Sequence, residues 1–258
     1  MQTDDRSRSE QVLSKVPQVT FAFWLIKICA TTLGETGGDA LSMTMEFGYA
    51  VSTAIFFGIF LATVAAQVSV RRYHPFLYWA VIVATTTAGT TMSDYLTRTA
   101  GLGYLYSSLL LFAAVIMILA VWRFTSGSIS VNRITDRKVE CFYWTAILFS
   151  NTLGTALGDC LADTSNLGYA GGASVFAGAL ALVAAAYFWT NLSHTILFWA
   201  AFILTRPLGA TLGDILTKPL ANGGLNLGRI SSTLIIALFM IVAIVLGSRK
   251  AGGHPGST

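Results

Sequence analysis

"GTALGDCL", residues 154–161, sets the carboxylate of Asp159 between Gly158 and Cys160 inside an otherwise apolar run. The same unit surrounds Asp39, Asp94 and Asp214, and the four aspartates follow one another at intervals of 55, 65 and 55 residues. Fifteen residues before each stands a tryptophan (Trp24, Trp79, Trp144, Trp199), and five before each a glycine (Gly34, Gly89, Gly154, Gly209). The residue just before is Gly38, Ser93, Gly158 or Gly213. Leucine follows two residues later (Leu41, Leu96, Leu161, Leu216) and glycine nine later (Gly48, Gly103, Gly168, Gly223). Three copies add Tyr49, Tyr104 and Tyr169. The pattern W-x9-G-x3-[GS]-D-x-L-x6-G makes the chain a tandem repeat, and the repeat has to be recognised before anything else is read.

Composition says what solvent the repeat faces. Of 258 residues, 54% are hydrophobic and 11% charged, and the mean hydropathy is +0.66. Soluble domains carry about 25% charged residues, so the chain reads as an integral membrane protein. Its net charge of +4 then reflects topology rather than affinity for nucleic acid, because lipid drives charge into loops. The opening "MQTDDRSRSEQVLSKV" mixes both signs of charge and lacks the apolar core of a cleavable signal peptide. The first apolar run is therefore expected to stay as a transmembrane helix. Cys29, Cys141 and Cys160 are odd in number and show no paired spacing, which argues against a disulfide framework or a zinc site.

Each repeat holds two apolar runs, and a span takes about 20 residues. This predicts helices at 18–44, 47–70, 75–98, 103–122, 140–163, 168–190, 195–218 and 228–247. The expected fold is all-α: eight transmembrane helices as four parallel two-helix repeats, each a hairpin. Two spans per repeat return the chain to its starting side, so all copies share one orientation. The expected organisation is a polar tail (1–16), repeats 1 and 2 (17–122), a linker "RFTSGSISVNRITDRK" (123–138), repeats 3 and 4 (139–248) and a second tail (249–258). Eleven Lys and Arg residues gather on the side of the termini, against Arg98, Lys218 and Arg229 on the other. The positive-inside rule makes both termini and the linker cytoplasmic.

The pairs Gly34/Gly38, Gly89/Ser93, Gly154/Gly158 and Gly209/Gly213 are small residues one turn apart, which let helix backbones approach closely in lipid. The tryptophans lie about 22 Å of helix from the aspartates at 1.5 Å per residue, a distance that suits an aromatic belt at the inner interface. Positions four and seven before each Asp share its helix face: Glu35/Thr32, Thr90/Thr87, Thr155/Thr152 and Ala210/Pro207. One intramembrane Asp costs roughly 2.5–3.5 kcal/mol. Four carboxylates brought together must be protonated, paired with protein cations or bound to a cation. Arg98 and Lys218 lie one turn beyond Asp94 and Asp214, whereas Asp39 and Asp159 have no such neighbour. Repeat 4 replaces the hydroxyls of the other copies with Arg206-Pro207. Arg206 reads either as a counter-ion for Glu35 or the Asp cluster, or as a side chain snorkelling to an interface.

The G-x3-[GS]-D-x-L unit, with its leading tryptophan and trailing Gly-Tyr, resembles the short repeat of unknown function in bacterial uncharacterised membrane-anchored proteins. The resemblance spans residues 18–247. It implies a multi-pass protein of a prokaryotic cytoplasmic membrane and no particular substrate. "ETGGD" (35–39) is also similar to the Glu-x-Gly-Asp motif of cation exchangers, with the spacing off by one residue.

The expected function is a transporter or channel-like permease for a hard cation, a divalent metal or proton-coupled, since all-oxygen donors favour such ions. The expected ligands are Asp39, Asp94, Asp159, Asp214 and Glu35. The alternative is a membrane scaffold whose motif only organises helix packing. No enzyme is expected, because His74, His194 and His254 lie near loops or an end, with no nucleophile–His–acid set on the motif helices. No cofactor is indicated. The expected partners are the lipid bilayer and a small inorganic cation, with room for a homo-oligomer and none for nucleic acid.

Overall fold

A computed structural model describes residues 17–70, 73–129, 137–164 and 167–247. The tails at 1–16 and 248–258 and the middle of the linker lie outside the described residues. The described chain is all-α. Its long helices are α1 (Phe21–Asp39), α2 (Gly48–Ser69), α3 (Pro75–Asp94), α4 (Gly103–Ser126), α5 (Arg137–Thr164), α6 (Gly168–Trp189), α7 (His194–Thr217) and α8 (Arg229–Gly247). Thr20 caps α1 by accepting a hydrogen bond from the Phe23 amide, and Pro75 opens α3 at a position where no donor is lost. In repeats 1 and 2 a wider π-helical turn follows the aspartate directly, over Ala40–Thr44 and Tyr95–Thr99. The glycine nine residues after each Asp has a positive φ, 72°, 70°, 63° and 81° in chain order. That left-handed turn, which a side chain resists, explains why all four copies keep glycine there.

The four motif helices form an inner ring in which α1 packs on α3, α3 on α5, α5 on α7 and α7 back on α1. The second helices lie outside this ring. Each covers the motif helix of the following repeat: α2 packs on α3, α4 on α5, α6 on α7, and α8 on α1. The expectation that a repeat folds as its own hairpin is thus corrected. The turn after the aspartate carries the outgoing helix sideways onto the next copy, and the fourth outer helix closes the circle on the first motif helix.

The two rings meet different surroundings. Outer helices expose large apolar side chains such as Phe57, Leu61, Leu109, Phe112, Leu182 and Leu238, a surface that suits lipid. Five helices, α2, α4, α6, α7 and α8, are long and apolar enough to cross a membrane. The motif helices α1, α3 and α5 miss that mark because they carry threonine, glycine and charge on the sides buried in the ring. The chain reads as a multi-pass membrane protein.

Candidate functional site

Equivalent positions of the four motif helices stack as layers along the ring, and the aromatic and glycine layers are joined cyclically. At one end lie the tryptophans. Trp79 packs on Phe23, Trp144 on Tyr78, Trp199 on Tyr143 and Trp24 on Phe198, with ring centroids 5.5, 5.8, 6.3 and 5.8 Å apart. Every contact runs from one repeat to the next. Trp79, Trp144 and Trp199 are buried, so they form an internal aromatic ring rather than the interfacial belt that their spacing suggested. Tyr78 and Tyr143 also share a hydrogen bond between hydroxyls, 3.0 Å.

The glycines permit the ring. A Cβ at Gly34 would strike Thr86, at Gly89 the backbone of Asn151 and Thr152, at Gly154 the stem of Arg206, and at Gly209 Thr31. Each therefore receives the residue eight before the next repeat's aspartate. Buried hydroxyls and an amide lock the same seams: Thr86 donates to the Ala30 carbonyl at 3.1 Å, Thr31 to the Thr205 carbonyl at 3.2 Å, and Asn151 to the Thr85 hydroxyl at 3.0 Å.

The fourth residue of that layer is Arg206, fully buried. Its Nη2 donates to Glu35 Oε2 at 3.0 Å, Thr90 Oγ1 at 2.5 Å and Thr155 Oγ1 at 2.6 Å. Those three acceptors stand four residues before the aspartates of repeats 1, 2 and 3. Repeat 4 has Ala210 there. One guanidinium therefore ties all four copies together, and of the two readings of Arg206 the counter-ion to Glu35 is the one the geometry gives. The helix runs unbroken across Pro207.

All four aspartates are buried, and protein cations bridge them in two pairs. Arg98 contacts its own Asp94 at 3.2 Å and the next repeat's Asp159 at 3.5 Å. Lys218 contacts its own Asp214 at 3.1 Å and Asp39 across the closing seam at 3.2 Å. Arg229, at the start of α8, adds a contact of 3.4 Å to Asp39. Asp39 and Asp159 are thus not the unpaired carboxylates that local sequence implied. Their cations come from other repeats, and linear spacing carries no sign of that. Carboxylate oxygens of Glu35, Asp39 and Asp214 come within 4.8 Å of one another. Asp94 and Asp159 lie on the other side of the ring with Arg98.

Beyond the aspartates, Tyr49 and Tyr104 continue the cyclic rule, whereas Tyr169 donates to Asp163 of its own repeat at 3.5 Å. The residues four after each Asp are Met43, Arg98, Asp163 and Lys218. Arg98 donates to the Tyr49 hydroxyl of the previous repeat at 3.0 Å, and Asp163 accepts from Tyr104 of its previous repeat at 2.8 Å. Repeat 4 has Gly224 in the tyrosine position, and the side chain it would face in repeat 1 is the apolar Met43. The missing tyrosine matches a missing polar partner.

No curated protein and no solved structure matches the chain. A family model described as a Repeat of Unknown Function (DUF347) matches residues 22–73, 77–128, 142–193 and 197–252, each match beginning just before or at the motif tryptophan's turn and covering one motif helix with the helix that follows. Four copies over most of the sequence, meeting in the layers described, place the chain in the family built from that repeat.

Proposed function

We propose that the protein is a permease for a small hard cation, with all eight helices spanning a prokaryotic cytoplasmic membrane and both termini in the cytoplasm. The observation that carries this reading is the convergence of Glu35, Asp39 and Asp214, whose carboxylate oxygens lie within 4.8 Å of one another in a buried layer. Such an all-oxygen set suits Mg²⁺, Mn²⁺ or Ca²⁺. Charge balance adds support: five buried carboxylates in these two layers (Glu35 and the four aspartates) face Arg98, Arg206, Lys218 and Arg229. One negative charge is left over, and a buried charge without a partner is costly.

In this reading Lys218 and Arg98 hold the unloaded ring together. An arriving cation takes the place of the Lys218 ammonium between Asp39 and Asp214, and the released lysine swings toward the loop beyond the aspartates. The carboxylates bind and orient the substrate, Arg206 fixes Glu35, and the aromatic ring closes the far end of the axis. The pairing of every aspartate with a protein cation favours the second reading, a scaffold in which these bridges only lock the repeats.

Divalent-cation titration of the purified protein, read as thermal shift and as uptake into proteoliposomes, separates the two. The permease reading expects a stabilising shift and uptake that Asp39→Asn and Asp214→Asn abolish, with tighter binding in Lys218→Met. A parent protein that shows neither shift nor uptake with any of the three metals leaves the scaffold.

A further inference from the structure

We infer that the groove between α4 and α5, at the end of the bundle opposite the aspartates, is a binding site for one anionic diacyl phospholipid. The groove holds about 510 Å³. Its walls are apolar, from Met117 and Val121 on α4 and Phe142 on α5. Thr145, also in the wall, turns its hydroxyl onto the Cys141 carbonyl of its own helix at 2.8 Å, so its one donor is already used. At the mouth stand Arg137 and Lys138, both exposed at the first turn of α5. Among the described residues neither is in an ion pair. Asp136, next to Arg137 in sequence, lies outside the described residues, and Glu140 is buried and does not line the groove.

Shape and charge decide the occupant. From Arg137 to Thr145 is roughly 12 Å of helix at 1.5 Å per residue. Spread over that length, the volume gives a cross-section of roughly 40 Å², about half that of a helix with its side chains, some 10 Å across. A partner helix does not fit, whereas an acyl chain does. The apolar wall runs inward from the helix ends, as a chain hanging from a headgroup requires. Two basic side chains at its mouth pair with a phosphodiester, and basic pockets at such helix ends select anionic over zwitterionic headgroups.

Native mass spectrometry of the purified full chain, titrated with phosphatidylglycerol and with phosphatidylcholine, tests this. The expected result is retention of one phosphatidylglycerol in preference to phosphatidylcholine. R137Q/K138Q should weaken it roughly thirtyfold, since each basic group near an anionic headgroup is worth about fivefold. Both side chains are exposed, so the thermal midpoint in lipid-free detergent should stay at the parent value. Val121→Trp, which fills the groove and keeps the charges, should also lose the lipid, and soluble glycerol phosphate should not compete. Equal retention of the two lipids, or an undiminished preference in R137Q/K138Q, overturns the site. Competition by glycerol phosphate overturns the acyl-chain part and leaves a phosphate site alone.

Discussion

The guanidinium of Arg206 lies 3.0 Å from the carboxylate of Glu35 across the seam where the fourth repeat meets the first, and both groups are buried. Neither residue has a counterpart of its own type at its position in the other three copies. The pair marks where the pseudo-fourfold ring departs from symmetry, and it supports a set of expectations about what holds the ring shut.

Arg206→Met and Glu35→Gln should each lower stability sharply. Removing one partner of a buried pair strands the other, at a cost of about 3–5 kcal/mol. The double change Arg206→Met with Glu35→Gln should lose much less than the two singles combined, since no charge is then left unpaired. Thermal unfolding in detergent across the four proteins checks this. Additive losses would show that Arg206 acts through Thr90 and Thr155 rather than through Glu35.

Glycines at the seams and glycines facing outward should respond in opposite ways. At Gly209 an added Cβ would meet the Thr31 side chain and backbone, so Gly209→Ala should cost about 1–3 kcal/mol, as overpacking does. At Gly58 on α2 nothing lies within 4 Å, and Gly58→Ala should leave stability unchanged or slightly higher, because the helix gains propensity. Detergent melting of both variants decides it, and equal losses would mean that the seam is looser than its geometry.

Lys27 stands fully buried with its amine 4.0 Å from the centroid of Phe202 and without a hydrogen-bond partner. The equivalent residues are Ile82, Ile147 and Phe202. A polar group buried without a hydrogen bond is destabilising, so Lys27→Met, similar in length, should raise the melting midpoint by several degrees. A fall in midpoint would reveal a bound counter-ion that the amine serves.

The proposed orientation predicts opposite labelling of two loops. In a cysteine-free background, Ala100→Cys should react with a membrane-impermeant maleimide in intact cells, and Ser128→Cys only after lysis. Reaction of Ser128→Cys in intact cells reverses the topology.

Much of this arrangement was legible in the chain, for physical reasons that also mark where legibility stopped. Helix bounds follow from apolar length, and the predicted spans end within about five residues of the observed helices, as at 168–190 against Gly168–Trp189. The convergence of the small-residue stripe was legible because glycine at a helix face has few other uses in lipid. The partner of each outer helix was not, since four apolar helices fit one another's grooves equally well and only the turn after the aspartate steers them. Cross-repeat bridges such as Lys218–Asp39 were hidden for a related reason: local spacing finds Asp214, and the second carboxylate, 179 residues away, appears only when the ring closes. The tryptophans misled because their depth fits an interface, while their azimuth, facing the next repeat, places them inside.

The mismatch between the sequence repeat and the packing unit has a consequence for where this polypeptide can be cut. Compact helix pairs are α2–α3, α4–α5 and α6–α7, each contiguous in the chain, while the fourth pair, α8 with α1, is assembled from the two ends of the described chain. Gly247 and Ala22 already lie so close that a Cβ on the glycine would sit 3.1 Å from the alanine's. Seen this way the molecule is a circle of four equal arcs opened inside one of them, and the opening is an accident of the reading frame rather than a feature of the packing. A circular permutant that joins the ends beyond Gly247 and Phe21 and starts instead at Arg137 keeps every seam, makes α8–α1 a continuous pair and moves the opening into the α4–α5 pair.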